Sequence, residues 1–208
     1  VKHVVEHIHH TLRIPYGDTE LNFHSPWPRR TMLALVEEET RIDFSKTDDP
    51  ADARKAASDL GIEVEKNAGW GTVVATVFEE VIEPKLIQPI HVTDHPLEIS
   101  PLAKTHREDA RLVERFETFI NGWEIANAFT ELNDPDLQLA RFQDQVAARE
   151  SGDDEAQMLD EDFIMALKYG MPPTGGWGVG IDRLVMLLTD TANIREVICF
   201  PTLKPEDG

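Results

Sequence analysis

Residues 117–134, ETFINGWEIANAFTELND, bring the carboxylates of Glu117, Glu124 and Glu131 and the carboxamide of Asn127 into one short segment of alternating apolar and polar residues. Carboxylates so crowded repel one another unless cations sit among them, so the chemistry on offer is that of a divalent metal or a cationic ligand. Asn121 and Gly122 form the strongest two-residue hairpin signal, and the alternation on either side predicts two antiparallel strands. With that turn, Phe119 pairs with Glu124 and Glu117 with Ala126, which puts Glu117 and Glu124 on one face as diagonal neighbours. Such a pair suits a divalent metal.

A second segment, TGGWGVGIDRLVMLLTD at 174–190, carries Gly175, Gly176, Gly178 and Gly180 ahead of an apolar helix that Asp182 is expected to cap. Backbone without side chains, followed by a helix N-terminus, lets a ligand approach closely. Arg183 falls in the first helical turn, where the macrodipole disfavours a cation, so an anionic ligand or an acidic neighbour must offset it. By itself a glycine-rich strand favours tight packing over ligand binding. The GGWGVG spacing and the lack of a regular βαβ unit do not fit a dinucleotide fold.

The elements that must position these groups alternate without βαβ order. Residues 1–13 are expected to be helical, residues 14–18 break the pattern at Pro15 and Gly17, and 21–23 is a short strand. A helix runs from after Pro28 to about Glu39 with Thr31 as its cap, amphipathic stretches follow at 51–60 and 72–81, and 87–92 is a buried strand. Pro135 opens a helix with an apolar stripe of Leu139, Phe142 and Val146. An acidic loop at 151–155 leads to a last helix at 161–169 before the glycine segment.

At 208 residues and 41% hydrophobic content the chain can bury one substantial core. No apolar run is long enough for a membrane span and no signal-peptide core is present, which predicts a soluble, intracellular protein without a membrane role. One cysteine builds no disulfide framework, and Cys199, in the run VICF, is expected to be a buried, inert thiol. The net charge of −19, from 20 basic against 39 acidic residues, disfavours a freestanding grip on nucleic acid. Any such grip would lie elsewhere in a larger molecule.

GWGVGIDRLVML followed by NIREVICFPTLKP resembles the third signature motif of the class II aminoacyl-tRNA synthetases of the aspartate, asparagine and lysine subgroup. HPLEISPLAK at 95–104 and NGWEIANAFTELNDP at 121–135 look like the lysine branch of that family, and the resemblance extends over essentially the whole chain. It implies an α+β fold, a mainly antiparallel sheet flanked by helices. It also implies ATP-dependent activation of L-lysine and transfer to tRNA(Lys) in the cytoplasm, by a homodimer at full length. Carried over by position, it places Glu117 and Glu124 on Mg²⁺ at the ATP phosphates and Arg183 on the γ-phosphate, with Gly178 and Gly180 lining the pocket. Asn127 would meet the lysine carboxylate, Phe129 its aliphatic stem and Glu131 its ammonium. A pocket carboxylate independently favours a cationic substrate over a neutral or acidic one.

The carry-over conflicts with a regular strand. Glu124 and Asn127 are three apart and would face opposite ways, so the resemblance predicts a β-bulge or sharp twist between Ile125 and Asn127. It further implies that residues 1–208 form the C-terminal part of a synthetase catalytic domain, with the anticodon-binding domain and the first two motifs outside them. Such a piece is expected not to form adenylate alone at a normal rate.

Taken singly, Glu117 and Glu124 are more often solvated acids on an exposed sheet, Phe129 more often core, and Arg183 more often a structural salt bridge. His3, His7 and His10 share a helical face that is expected to be solvated, and the segments 27–32 and 100–104 are expected to be scaffold, with Ser100 to Lys104 bordering a substrate channel as the other option. Two rival functions remain open: a lysine-activating paralogue that modifies a protein, and a non-catalytic module that reuses the fold as an interaction surface.

Overall fold

The hairpin around Asn121 and Gly122 is the centre of a five-stranded sheet. In the computed structural model, which describes residues 1–150 and 158–202, β3 (Arg29–Thr31), β4 (Ile90–Thr93), β5 (Arg115–Ile120), β6 (Trp123–Thr130) and β7 (Gly175–Val179) lie side by side in that order. Only β3 and β4 run parallel; the other neighbours are antiparallel. Together with the flanking helices this is the expected α+β architecture. Asn121 and Gly122 both adopt positive φ, 57° and 69°, as a tight hairpin of this twist requires. Their amides donate to Ile87 O and Leu86 O, so the tip of the hairpin is tied to the backbone that precedes β4.

Two apolar clusters flank the sheet. The first joins α2 (Met32–Thr40), α3 (Pro50–Asp59) and α4 (Trp70–Val81) to Val92 and Phe119. Phe78 meets Phe119 edge-on at 5.6 Å between ring centroids. The valines of α4 at 73, 74 and 77 recur at helical spacing and are fully buried, which presses this helix onto the sheet. The second cluster joins Val5 of α1 (Lys2–His9) and a small hairpin, β1 (Arg13–Tyr16) and β2 (Thr19–Asn22), to Ile120, Ile125 and the apolar face of α7 (Ile181–Leu188). α5 (Pro135–Glu150) and α6 (Glu161–Lys168) pack on each other, with Phe142 and Phe163 6.0 Å apart.

Several expectations hold and several need correction. Thr31 caps α2, accepting from Ala34 N at 3.1 Å, and Pro135 is the first residue of α5. The first helix, however, ends at His9, and Arg13–Tyr16 is a strand: Pro15 lies in a two-stranded ribbon, where a missing N–H is tolerated. The N-cap of α7 is Gly180, with no side-chain cap, and Asp182 lies inside the first turn. Cys199 is exposed, because the VICF run joins neither apolar cluster; Phe200 beside it is 94% exposed. His3, His7 and His10 are exposed on and just beyond α1. The acidic loop at 151–155 lies outside the described residues. Among the described residues no helix is long and apolar enough to cross a membrane.

Candidate functional site

The register of the central hairpin changes once, and that change builds the site. Phe119 pairs with Glu124, but Glu117 pairs with Asn127 rather than with Ala126, so β6 carries one residue more than β5 between these pairs. The surplus residue is Ile125. It and Ala126 are both buried, 1% and 8% exposed, while Glu124 and Asn127 on either side are only half-buried. The bulge thus spends two successive residues on the core and returns Asn127 to the face that carries Glu117 and Glu124. The same register places Phe129 opposite Arg115 on this face.

An open cavity of about 640 Å³ is bounded by Glu117, Phe119 and Glu124 from the hairpin, Arg183 from α7, and two acids that sequence reasoning missed, Glu79 and Glu83. Glu79 lies in α4 and Glu83 just beyond it, brought over the sheet by the packing of Phe78 on Phe119. Only that long-range contact reveals them. Arg183 is half exposed; its Nη1 donates to the backbone O of Glu124 at 2.7 Å and lies 3.8 Å from Glu124 Oε2. The acidic neighbour called for by a cation in the first turn of a helix is therefore Glu124.

The carboxylates are not equivalent. Burial pushes Glu117 up to about 7; Arg115 opposes that rise, while Glu124, Glu83 and Glu79 add to it. Burial also raises Glu83, with Glu79 and Glu124 adding and Arg183 opposing. A site that makes its own carboxylates hard to ionise gains from a bound cation.

Glu124, Asn127, Gly178, Gly180 and Arg183 line an adjoining cavity of about 290 Å³. β7 faces Asn127 with Gly178 and Phe129 with Gly176. A Cβ on Gly178 would meet nothing nearer than Asn127 O at 3.9 Å, so the absent side chain leaves this stretch open. Glu131 lies past the end of β6, its amide bonded to Thr174 O at 2.9 Å. Its carboxylate lies against Gly176: a Cβ there would be 2.2 Å from Oε1. Burial raises the Glu131 carboxyl, and among the described residues it has no ion pair or side-chain hydrogen bond. Glu131 borders neither of these cavities, and Phe129 lines a third, of about 560 Å³, with Arg115 and Gly176. Glu117, Glu124, Asn127, Gly178, Gly180 and Arg183 are thus brought together, with Phe129 further along β6 and Glu131 just past its end.

Arg115 was also missed. It donates from Nε to Asn127 Oδ1 at 3.0 Å, from Nη1 to Ser100 Oγ at 2.7 Å and from Nη2 to Glu117 Oε1. The available signal was its place two residues before Glu117, which on a strand means the same face. Ser100, 5% exposed, connects the 100–104 segment to the site through this contact.

The family is settled by comparison. The model of the class II tRNA synthetases (D, K and N) matches residues 1–204, and the chain belongs to that family. Among curated relatives, the lysine–tRNA ligase of Carboxydothermus hydrogenoformans is 54% identical over 207 residues, covering 100% of this chain and 42% of the relative. The lysine–tRNA ligase of Pelotomaculum thermopropionicum is 54% identical over 199 residues (95% and 39%), and that of Staphylococcus saprophyticus 50% over 204 residues (98% and 41%). The chain spans about two-fifths of the length of these relatives.

Proposed function

We propose that the polypeptide carrying this chain is a lysine–tRNA ligase, which joins L-lysine to tRNA(Lys) in two steps at the expense of ATP. The observation that carries this reading is Glu131: a partly buried carboxylate with no cation among the described residues, just past the end of the strand whose bulge aligns Asn127 with Glu117 and Glu124. A carboxylate held against a glycine strand selects a substrate whose far end is an ammonium, and penalises an acidic or neutral one. The names of the relatives support the same substrate.

In the first step an oxygen of the lysine carboxylate attacks the α-phosphorus of ATP, forming lysyl-adenylate and releasing pyrophosphate. In the second a terminal ribose hydroxyl of the tRNA attacks the carbonyl carbon and AMP leaves. The protein's part is placement and charge. Glu131 holds the ammonium, Phe129 the aliphatic stem and Asn127 the carboxylate. Arg183, half exposed at the cavity mouth, meets the γ-phosphate, and Gly178 and Gly180 let the substrates lie against the backbone of β7.

Glu117 and Glu124 suit Mg²⁺: both are carboxylates that line one cavity beside Arg183. Mg²⁺ prefers oxygen ligands and keeps several waters, so these two carboxylates together with nucleotide phosphates would suffice to hold it. When bound, Mg²⁺ neutralises charge on the phosphates. A homodimer acting in the cytoplasm completes the reading.

Lysine-dependent exchange of pyrophosphate into ATP by the full polypeptide tests it, with aspartate and asparagine as comparators. Exchange with lysine alone is expected; exchange driven by aspartate would sink the assignment.

A further inference from the structure

Arg115 stands where the nucleotide end and the amino-acid end of the proposed site meet. Its guanidinium reaches Glu117 with Nη2, Asn127 with Nε and Ser100 with Nη1, and its side chain is 16% exposed. Each of its three nitrogens thus contacts the protein, Nη1 also reaching Ile99 O at 3.4 Å, and what Arg115 does to Asn127 and Glu117 passes through these contacts.

That effect is specific. A guanidinium has only donors, so the atom of Asn127 that faces Arg115 has to be the carboxamide oxygen. The amide NH₂ is then the edge left for a ligand, and an NH₂ donates to a carboxylate where an oxygen would repel it. Glu117 is treated alike: Oε1 is committed to Arg115, and the other oxygen is free to turn toward the cavity. One planar fork does both. A lysine at this position, with a single compact ammonium, cannot span the same contacts.

We propose that Arg115 is a positioning residue that locks the carboxamide of Asn127 with its NH₂ toward the substrate carboxylate and aligns it with the metal-facing oxygen of Glu117. The inference rests on the lysine-activating reading above. It assigns Arg115 the coupling between the two ends of the site, with Ser100 holding the fork from the scaffold side.

The test uses the full polypeptide with Arg115→Gln, Arg115→Lys, Asn127→Ala and the double variant Arg115→Gln/Asn127→Ala, following KM for lysine, the Mg²⁺ concentration at half activity, and the melting temperature. Arg115→Gln is expected to raise both the lysine KM and the Mg²⁺ requirement by about tenfold, the size of one lost charge-assisted hydrogen bond. Arg115→Lys is expected to restore the melting temperature while leaving the lysine KM raised. Adding Asn127→Ala to Arg115→Gln is expected to change the lysine KM by less than about twofold further, because both act through one contact.

A lower melting temperature with unchanged lysine KM, or fully multiplicative effects in the double variant, would overturn the proposal. If Arg115→Gln fails to fold, Arg115→Lys decides alone: a normal lysine KM refutes it. An unsubstituted protein without lysine-dependent exchange would remove the lysine reading and this inference with it. Normal exchange with unaltered variants removes only the inference.

Discussion

Gly176 lies directly beneath the carboxylate of Glu131, so close that a Cβ on the glycine would stand 2.2 Å from Oε1. The absent side chain is what gives this acid its place. Gly176→Ala is expected to displace the end of the Glu131 side chain, a flexible group that can move away, and so to spare the fold. The lysine KM should rise by about tenfold with little change in melting temperature. Gly178→Ala, whose Cβ meets only an ordinary contact, is the comparison for folding in the absence of substrate.

Removing the charge of Glu131 tests selection more directly. Glu131→Gln keeps the shape and loses the partner of the ammonium, and kcat/KM for lysine should fall by about 100-fold or more. Pyrophosphate exchange with lysine and with a neutral amino acid of similar length checks it, since the ratio between the two should shift toward the neutral one.

Glu117 predicts a conflict between stability and function. In metal-free protein its carboxyl, raised from 4.5 to about 7, keeps a proton that the unfolded chain has released. Its contribution to stability is therefore full below about pH 4.5 and is lost as the pH rises to about 7. Glu117→Gln, which cannot ionise and still offers an oxygen to Arg115, should stabilise the metal-free protein at pH 8 by on the order of 1–3 kcal/mol. It should also abolish Mg²⁺-dependent nucleotide binding. Thermal melts at pH 5 and 8 in a chelator show the first effect, and titration with Mg-ATP the second.

His95 predicts the opposite pH dependence. Its ring is 1% exposed, Nε2 lies 3.2 Å from Val92 O, and Nδ1 has no partner among the described residues. Burial, with Arg115 adding, holds its pKa down from 6.5 to about 3. The folded protein thus keeps a neutral ring that the unfolded chain protonates, so stability is complete above about pH 6.5 and declines as the pH falls toward 3. His95→Phe should flatten that decline, by a few kcal/mol at pH 4. Denaturant melts between pH 4 and 7 measure it.

What could be seen in the sequence was local. Asn121 and Gly122 fixed the hairpin, Thr31 and Pro135 marked helix starts, and the alternation around the turn predicted the strands. The bulge at Ile125 was visible only as a clash between a period of two and the need for Glu124 and Asn127 on one face. Glu79 and Glu83 were hidden because α4 and the turn just beyond it, not a neighbouring strand, carry them to Glu117. The third strand of the site, β7, showed its glycines plainly, but the fit of Glu131 over Gly176 depends on a register between segments more than forty residues apart. Arg13–Tyr16 and Cys199 failed for the same reason: local composition does not say what will pack on a segment.

Ile125 shares its hydrocarbon surroundings with Leu184 and Leu187 of the helix that bears Arg183. Trimming Leu187 would touch neither a charge nor a polar atom, yet it would slacken the footing of the strand offset and of the phosphate-facing arginine at once. In this protein a loss of grease would first be felt as poor handling of ions.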